Sequence, residues 1–265
     1  AGCALSLSGL ILQTVLNNAL AGPSIIGVNS GAGLFTTLIM ALFPAYIALM
    51  PVAAFVGALL TTLLVFFIAK KTGASRLAIV LSGAAVTSLM GAITDTIVTI
   101  WPDMAISRTS FLIGGLTGVT MDVIKLPGVL IFISFVAAVI FSYDMNILSL
   151  GDETAKSLGL NVSRYRFMFI VLSSLFAGSA ISFAGLLGFI GLIGPHAARF
   201  MVGHDNRLLV PVSGLLGGLV VLICDILART LFAPYEVPVG IIMSFLGGPF
   251  FVFLLFKQKR RLISD

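Results

Sequence analysis

Thirteen residues, 149–161, form a polar island between two oily stretches and carry Asp152, Glu153 and Lys156. Gly151 and Gly159 bracket a short predicted helix. Asp152 and Glu153 fall near its start, where the helix dipole favours acids, and Lys156 falls later. Gly159 can supply a left-handed cap. These groups suit recognition better than catalysis. The ordinary alternative is a solvated loop with chance capping. A charged helix retained between two membrane spans is instead a handle for something outside the bilayer.

A second unusual segment is 185–199, with Gly185, Gly188, Gly191 and Gly194 at every third position, then Pro195, His196 and Arg199. The repeated glycine and the proline make poor helix material. Irregular backbone at membrane depth is tolerated only when packed in protein or lining a cavity. Gly188, Gly191, Gly194, Pro195 and His196 are therefore gate or path candidates. His196 has no neighbouring cysteine or carboxylate, so it is not read as a metal ligand; the ordinary reading is a histidine bonded to backbone.

Two carboxylates, Asp95 and Asp225, lie within apolar runs, where ionisable groups are costly. Asp95 is close enough to the end of its run to reach the interface. Arg229 follows Asp225 by four residues, so on a helix the two would pair. No phosphate-binding glycine loop, zinc-protease motif or nucleophile elbow is present, so no catalytic residues are assigned and no metal site is expected.

These residues sit in a chain of 265 residues that is 59% hydrophobic and 9% charged. Soluble domains carry about 25% charged residues, so the bilayer is the solvent here. Apolar runs fall near 1–16, 33–50, 52–69, 77–100, 123–143, 165–184, 210–231 and 239–256, with a shorter run at 187–201. Charge decides whether that short run crosses. If it does, one side receives Lys70, Lys71, Arg76, Lys156, Arg164, Arg166, Arg199, Arg207, Lys257, Lys259, Arg260 and Arg261, and the other only Arg108, Lys125 and Arg229. That is 12 against 3 of the 15 basic residues, as the positive-inside rule asks. The net charge of +5 thus reflects topology and not nucleic-acid binding. The expected fold is an all-α polytopic bundle of about nine spans, one domain over 1–265, with its C-terminus in the cytoplasm. Ala1 then lies outside, so one missing N-terminal helix, ten in all, is the simplest completion. Cys3 and Cys224 sit in apolar runs and read as small buried hydrophobes. The pairs Gly27/Gly31, Gly114/Gly118 and Gly214/Gly218 allow close helix approach.

Several blocks, in order, resemble the permeases of type II ABC importers for ferric siderophores, haem or cobalamin, the FecCD type. They are Ser8-Gly9 with Gln13 and Asn17, then Leu20 to Pro23, Gly27 to Ala32, and Leu150 to Gly159. Gly188 to His196 with Arg199, Gly203 to Asp205, Asp225 with Arg229, Val237 to Gly240, and Gly247 to Phe251 follow. Asn18 departs from the proline usual in that family, which puts the geometry of its turn in doubt.

The resemblance implies ten helices per subunit and a translocation path enclosed by a dimer, with a second copy or a paralogue. It implies a bacterial or archaeal cytoplasmic membrane. It assigns Leu150, Gly151, Asp152, Glu153, Ala155, Lys156, Ser157, Leu158 and Gly159 to coupling with a separate ATPase subunit, which would hold the ATP and magnesium; this chain would bind no cofactor. An extracytoplasmic substrate-binding protein would dock through outer arginines, with Arg229 the first candidate and Arg108 the second. The expected cargo is an iron complex, a ferric siderophore or haem. The alternatives are cobalamin, or a secondary carrier driven by an ion gradient, which would need buried carboxylates at mid-membrane.

Overall fold

The computed structural model describes residues 1–73, 75–231 and 233–264, and of Ile47, Leu255 and 257–264 it describes the backbone alone. Lys257, Lys259, Arg260 and Arg261, which entered the charge count, therefore have side chains outside the described residues. Among the described residues there are twelve α-helices, three short 3-10 segments and no strand. The helices are α1 (Gly2–Leu16), α2 (Val28–Leu42), α3 (Met50–Lys71), α4 (Arg76–Ile100), α5 (Ala105–Ile113) and α6 (Met121–Ile140). Then come α7 (Ser142–Ser149), α8 (Asp152–Ser157), α9 (Val162–Ala184), α10 (Ile190–Val202), α11 (Asn206–Thr230) and α12 (Val239–Ser264).

Five helices, α3, α4, α6, α9 and α11, are long and apolar enough to cross a membrane. The apolar helices Gly2–Leu16, Val28–Leu42 and Val239–Leu254 are shorter. A helix of 15 residues spans only about 22 Å at 1.5 Å per residue, less than a hydrocarbon core of about 30 Å. Length and composition alone mark five clear crossings among the described residues; the shorter apolar helices keep the expected count of about nine approximate.

Three boundaries differ from the sequence expectation for local reasons. The run at 33–50 is not one helix: α2 stops at Leu42 and a 3-10 segment covers Pro44–Leu49. Pro44 has no amide hydrogen to continue the ladder, whereas Pro51 sits harmlessly in the first turn of α3. The run at 123–143 ends at Ile140, and the separate helix α7 follows. In 185–199 only the stretch up to Phe189 is irregular; from Ile190 the backbone is helical through Gly191, Gly194 and Pro195.

The centre of the bundle is α1, with fourteen of its fifteen residues buried, packed by α9, α10 and α11. Small residues make this possible. Gly9 lies against the backbone of Gly191, and Gly194 and Gly217 lie against Ser6, so a Cβ at any of the three glycines would collide with its neighbour. Hydroxyls bridge the gaps: Ser8 and Ser173 share a 2.7 Å hydrogen bond, and Ser6 donates to the Ser213 carbonyl at 2.7 Å. Close approach with polar bridging is how helices hold together in lipid, where there is no hydrophobic drive to associate. In contrast, α6 buries only Pro127, Ser134 and Ala138 and exposes Phe132, Ile133 and Ile140. An apolar helix that the protein leaves uncovered faces the bilayer. The chain is a multi-pass membrane protein.

Candidate functional site

The polar island forms α8 and the turns on either side of it. Gly151, at φ 105°, turns the chain out of α7 into α8. Gly159, at φ 84°, ends α8 in a Schellman motif: Leu160 N–H donates to the Ala155 carbonyl at 3.0 Å and Gly159 N–H to the Lys156 carbonyl at 2.9 Å. Residues with a Cβ pay steric strain at such φ values, so the two glycines set the length of the helix. Buried Ala155 and Leu160 seat the element on the bundle, as Met145 and Leu148 seat α7. Glu153, Lys156, Ser157, Leu158 and Gly159 are exposed. Leu150 and Leu158 are 61% and 59% exposed, which makes two apolar points on an otherwise polar end of the molecule. An open groove of about 520 Å³ lies between Leu150, Glu153 and Thr154 on one wall and Ser75 and Leu77 on the other.

Asp152 and Arg76 line the same groove and meet across it. One guanidinium nitrogen of Arg166, on α9, donates to both Asp152 carboxylate oxygens at 2.8 and 2.9 Å. Nη2 of Arg76, the first residue of α4, lies 3.0 Å from Asp152 Oδ1. Partial burial pushes the Asp152 carboxyl up, but the Arg166 hydrogen bond and the charges of Arg166, Arg76 and Lys156 outweigh it and hold the carboxyl below its ordinary value. A second polar cluster ties α7 to the start of α11. Asn146 donates to Asp205 at 2.7 Å and accepts from both the backbone and the side chain of Asn206 at 2.9 and 2.8 Å. Asp205 also caps α11 by accepting from Arg207 N–H at 3.0 Å. The Asn146 hydrogen bond, and then the Arg207 amide, lower the Asp205 carboxyl from its ordinary value.

At the same end of the bundle a cavity of about 1020 Å³ is bounded by Gln13, Asn17, His196, Arg199, His204 and Leu254. His196 Nδ1 lies 3.0 Å from the Leu192 carbonyl one turn back, and its ring meets Phe250 edge-on at 6.3 Å. The five gate or path candidates are not gathered at one place. His196 faces this cavity. Gly191, Gly194 and Pro195 are buried in α10, and the two glycines pack against α1. Gly188 is exposed before the start of that helix.

The outer arginines lie at the opposite end. Arg229 Nε is 3.0 Å from Asp225 Oδ2, the pairing expected from their spacing. Arg229 and Asn206 stand near opposite ends of the 25-residue α11, roughly 35 Å apart at 1.5 Å per residue. Arg108 reaches Asp95 at 2.9 Å, and Asp95 is about 28 Å along α4 from Arg76 by the same rise. Both carboxylates within the spans are thus ion-paired near helix ends. Nearby, Thr117 donates to Glu236 at 3.1 Å.

Sequence reasoning did not single out Asn146, Arg76 or Arg166 as site residues. The last two entered only the charge count. A usable signal was there, because Arg76 and Arg166 both stand at the start of apolar runs that the charge count places on the same side of the membrane as the acidic island.

The FecCD transport family model matches residues 1–257. The haemin transport system permease protein HmuU of Yersinia pestis is 35% identical, covering 98% of this chain and 80% of that protein. The probable siderophore transport system permease YfhA of Bacillus subtilis is 38% identical over 98% of this chain and 78% of its own length. The cobalamin import system permease BtuC of Halobacterium salinarum is 36% identical over 98% and 70%. Among solved structures, a metal-chelate type ABC transporter in an inward-facing conformation superposes with a TM-score of 0.89 at 29% identity, covering 97% of this chain and 83% of that one. With a helical bundle built around α1, an exposed short helix at one end and a family match over nearly its whole length, this chain belongs to the FecCD transport family.

Proposed function

We propose that this chain is the translocation subunit of an ATP-driven importer for iron complexes, a ferric siderophore or haem. The carrying observation is the α7–α8 element in a FecCD chain: two exposed leucines, Leu150 and Leu158, on a glycine-delimited helix whose inner face is fastened to long helices. A separate ATPase would seat on Leu150, Glu153, Lys156 and Leu158, with ATP and magnesium held there and no cofactor on this chain. A substrate-binding protein would dock at the other end near Arg229 and Arg108, and a second copy or a paralogue would complete the path. Leu254 on α12 borders the same cavity as Ser149, which supports a cytoplasmic C-terminus on the side of the coupling element. The names of the haemin and siderophore relatives support an iron complex as cargo, and the cobalamin relative keeps the corrinoid in the test.

An ion-gradient carrier would need a carboxylate free to titrate at mid-membrane. Asp95 and Asp225 are each engaged by an arginine near a helix end, which argues against it. The deciding experiment is uptake into proteoliposomes holding the permease and its ATPase, with binding protein outside and ferric siderophore, haem and cobalamin supplied in parallel. ATP-dependent accumulation of an iron complex is expected. Accumulation that ignores ATP and follows an imposed proton or sodium gradient would overturn the proposal.

A further inference from the structure

The two adjacent acids of α8 differ in their partners, and this separates their roles. Glu153 is exposed and makes no ion pair among the described residues. Asp152, its side chain 36% exposed, meets two arginines from different helices. Building on the importer reading above, we propose that Asp152 is a positioning residue that clamps α8 to both α4 and α9, so that a push on α8 moves the two long helices together, while Glu153 is left free for the ATPase.

The geometry carries this. With only six residues, α8 has too few turns to be stable alone. It has no side-chain cap at its start, and apart from Ala155 its residues do not bury against the bundle. The Asp152 carboxylate is therefore its main polar fastening. Its grip on Arg166 is of the charge-assisted kind, stronger than a neutral hydrogen bond. The Arg166 side chain is 3% exposed, so it cannot swing after a displaced partner and instead carries the displacement into α9. Arg76 is the first residue of α4, and its side chain is 27% exposed. Thus the N-terminus of α4 reaches 3.0 Å to the same carboxylate oxygen that Arg166 engages. Without the carboxylate the two guanidinium groups would face each other as like charges, which favours separation of the two helix ends. A carboxylate between two cations on separate helices can thus act as a linkage as well as a brace.

The test uses the complete complex of permease, ATPase and binding protein in liposomes, with radiolabelled ferric siderophore, haem and cobalamin, and scores substrate moved per ATP hydrolysed. Asp152→Ala should keep the ATPase bound and hydrolysing, while transport per ATP falls roughly 5-fold or more, the lower end of typical coupling between sites. Arg76→Gln should lower transport per ATP alone but add little in the Asp152→Ala background, because both changes break one contact. Asp152→Glu should recover most of the loss. Glu153→Ala should behave differently and weaken ATPase retention itself. Unchanged transport per ATP in Asp152→Ala, additive Arg76 and Asp152 effects, or loss of the ATPase from Asp152→Ala would each overturn the clamp. The wild-type complex separates this from the importer reading: if it shows no ATP-dependent uptake of any of the three, both fail together, whereas ATP-dependent wild-type uptake with an unaffected Asp152→Ala variant overturns the clamp alone.

Discussion

Gln13 Nε2 donates a 2.9 Å hydrogen bond to the Gly191 carbonyl, the same carbonyl that Pro195, four residues later, leaves without a backbone donor. A proline inside a helix removes one rung of the ladder. Here a side chain from α1 replaces the missing rung and stitches α1 to α10 beside the close Gly9–Gly191 approach. Gln13→Leu keeps the volume and leaves a buried acceptor unmade, at a cost of about 1–3 kcal/mol. A lower thermal unfolding midpoint of the detergent-solubilised permease is the expected outcome, and an unchanged midpoint would remove this role.

Two glycines should respond in opposite ways. At Gly9 a methyl group would run into the Gly191 backbone, which has no soft end to move aside. Gly9→Ala should therefore destabilise by at least the 1–3 kcal/mol of ordinary overpacking. Gly218, in mid-α11, has open space where its Cβ would go. Gly218→Ala should be neutral or stabilising by up to about 1 kcal/mol, the intrinsic helix gain. Thermal unfolding of the two single variants side by side checks the pair.

Gly159 closes α8 with a left-handed residue, and nothing lies close to the position its Cβ would take. The effect of Gly159→Ala is therefore conformational and not steric crowding, about 1–2 kcal/mol for an L-residue held at that φ. Hydrogen exchange should report it locally, with faster exchange at the Leu160 and Gly159 amides and no change in α1. Protection that stays the same at both amides would show that the cap does not need glycine.

The Asp152 contacts of α8 should be insensitive to mild acidification. The folded-state Asp152 carboxyl lies below its ordinary value, so it binds protons less readily when folded than when unfolded. Its contribution is then fully present above the unfolded value of about 3.9 and is lost only as pH falls through the lower folded value. A spin label at Ser157→Cys, an exposed site on α8, should show the same mobility from about pH 8 to pH 5. With Asp152→Asn added, mobility should be higher throughout and flat over that window. A wild-type transition near pH 6 would contradict the arginine clamp.

At the far end, Arg229 is half-occupied by Asp225, with 45% of its side chain still exposed. Asp225→Asn should leave the guanidinium freer and tighten binding of the substrate-binding protein slightly, and Arg229→Glu should weaken it by roughly tenfold. Both effects should shrink at high salt, because exposed charges are screened within about 10 Å at 0.1 M. Titration of the binding protein against the reconstituted wild-type permease and both variants measures the effect.

Much of the site was legible because it is written in local chemistry. Gly151 and Gly159 mark a short helix by backbone requirement alone, and the Asp225–Arg229 pair follows from helical spacing. The segment 185–199 was legible only in part. Repeated glycine and Pro195 suggested irregular backbone throughout, yet from Ile190 the chain is helical. Glycine's entropic cost in a helix is about 1 kcal/mol per residue, and close packing on α1 together with the Gln13 bond offsets it. That offset depends on residues about 180 positions away in sequence, so no local pattern could reveal it.

What the amino-acid sequence determined by itself is the solvent, the helical class and the position of the polar island that forms α8. Hydropathy, glycine and proline act within a turn or two of their own position, so their consequences can be read without knowing any partner. Only the tertiary structure decided that Asp152 meets arginines of α4 and α9 while Glu153 stays exposed, that Gln13 completes the α10 ladder, and that Gly191 and Gly194 serve helix packing. Each of these depends on which helices meet. That choice is made by shape and hydrogen bonding across the whole bundle, where adjacent residues on one short helix can meet different surroundings.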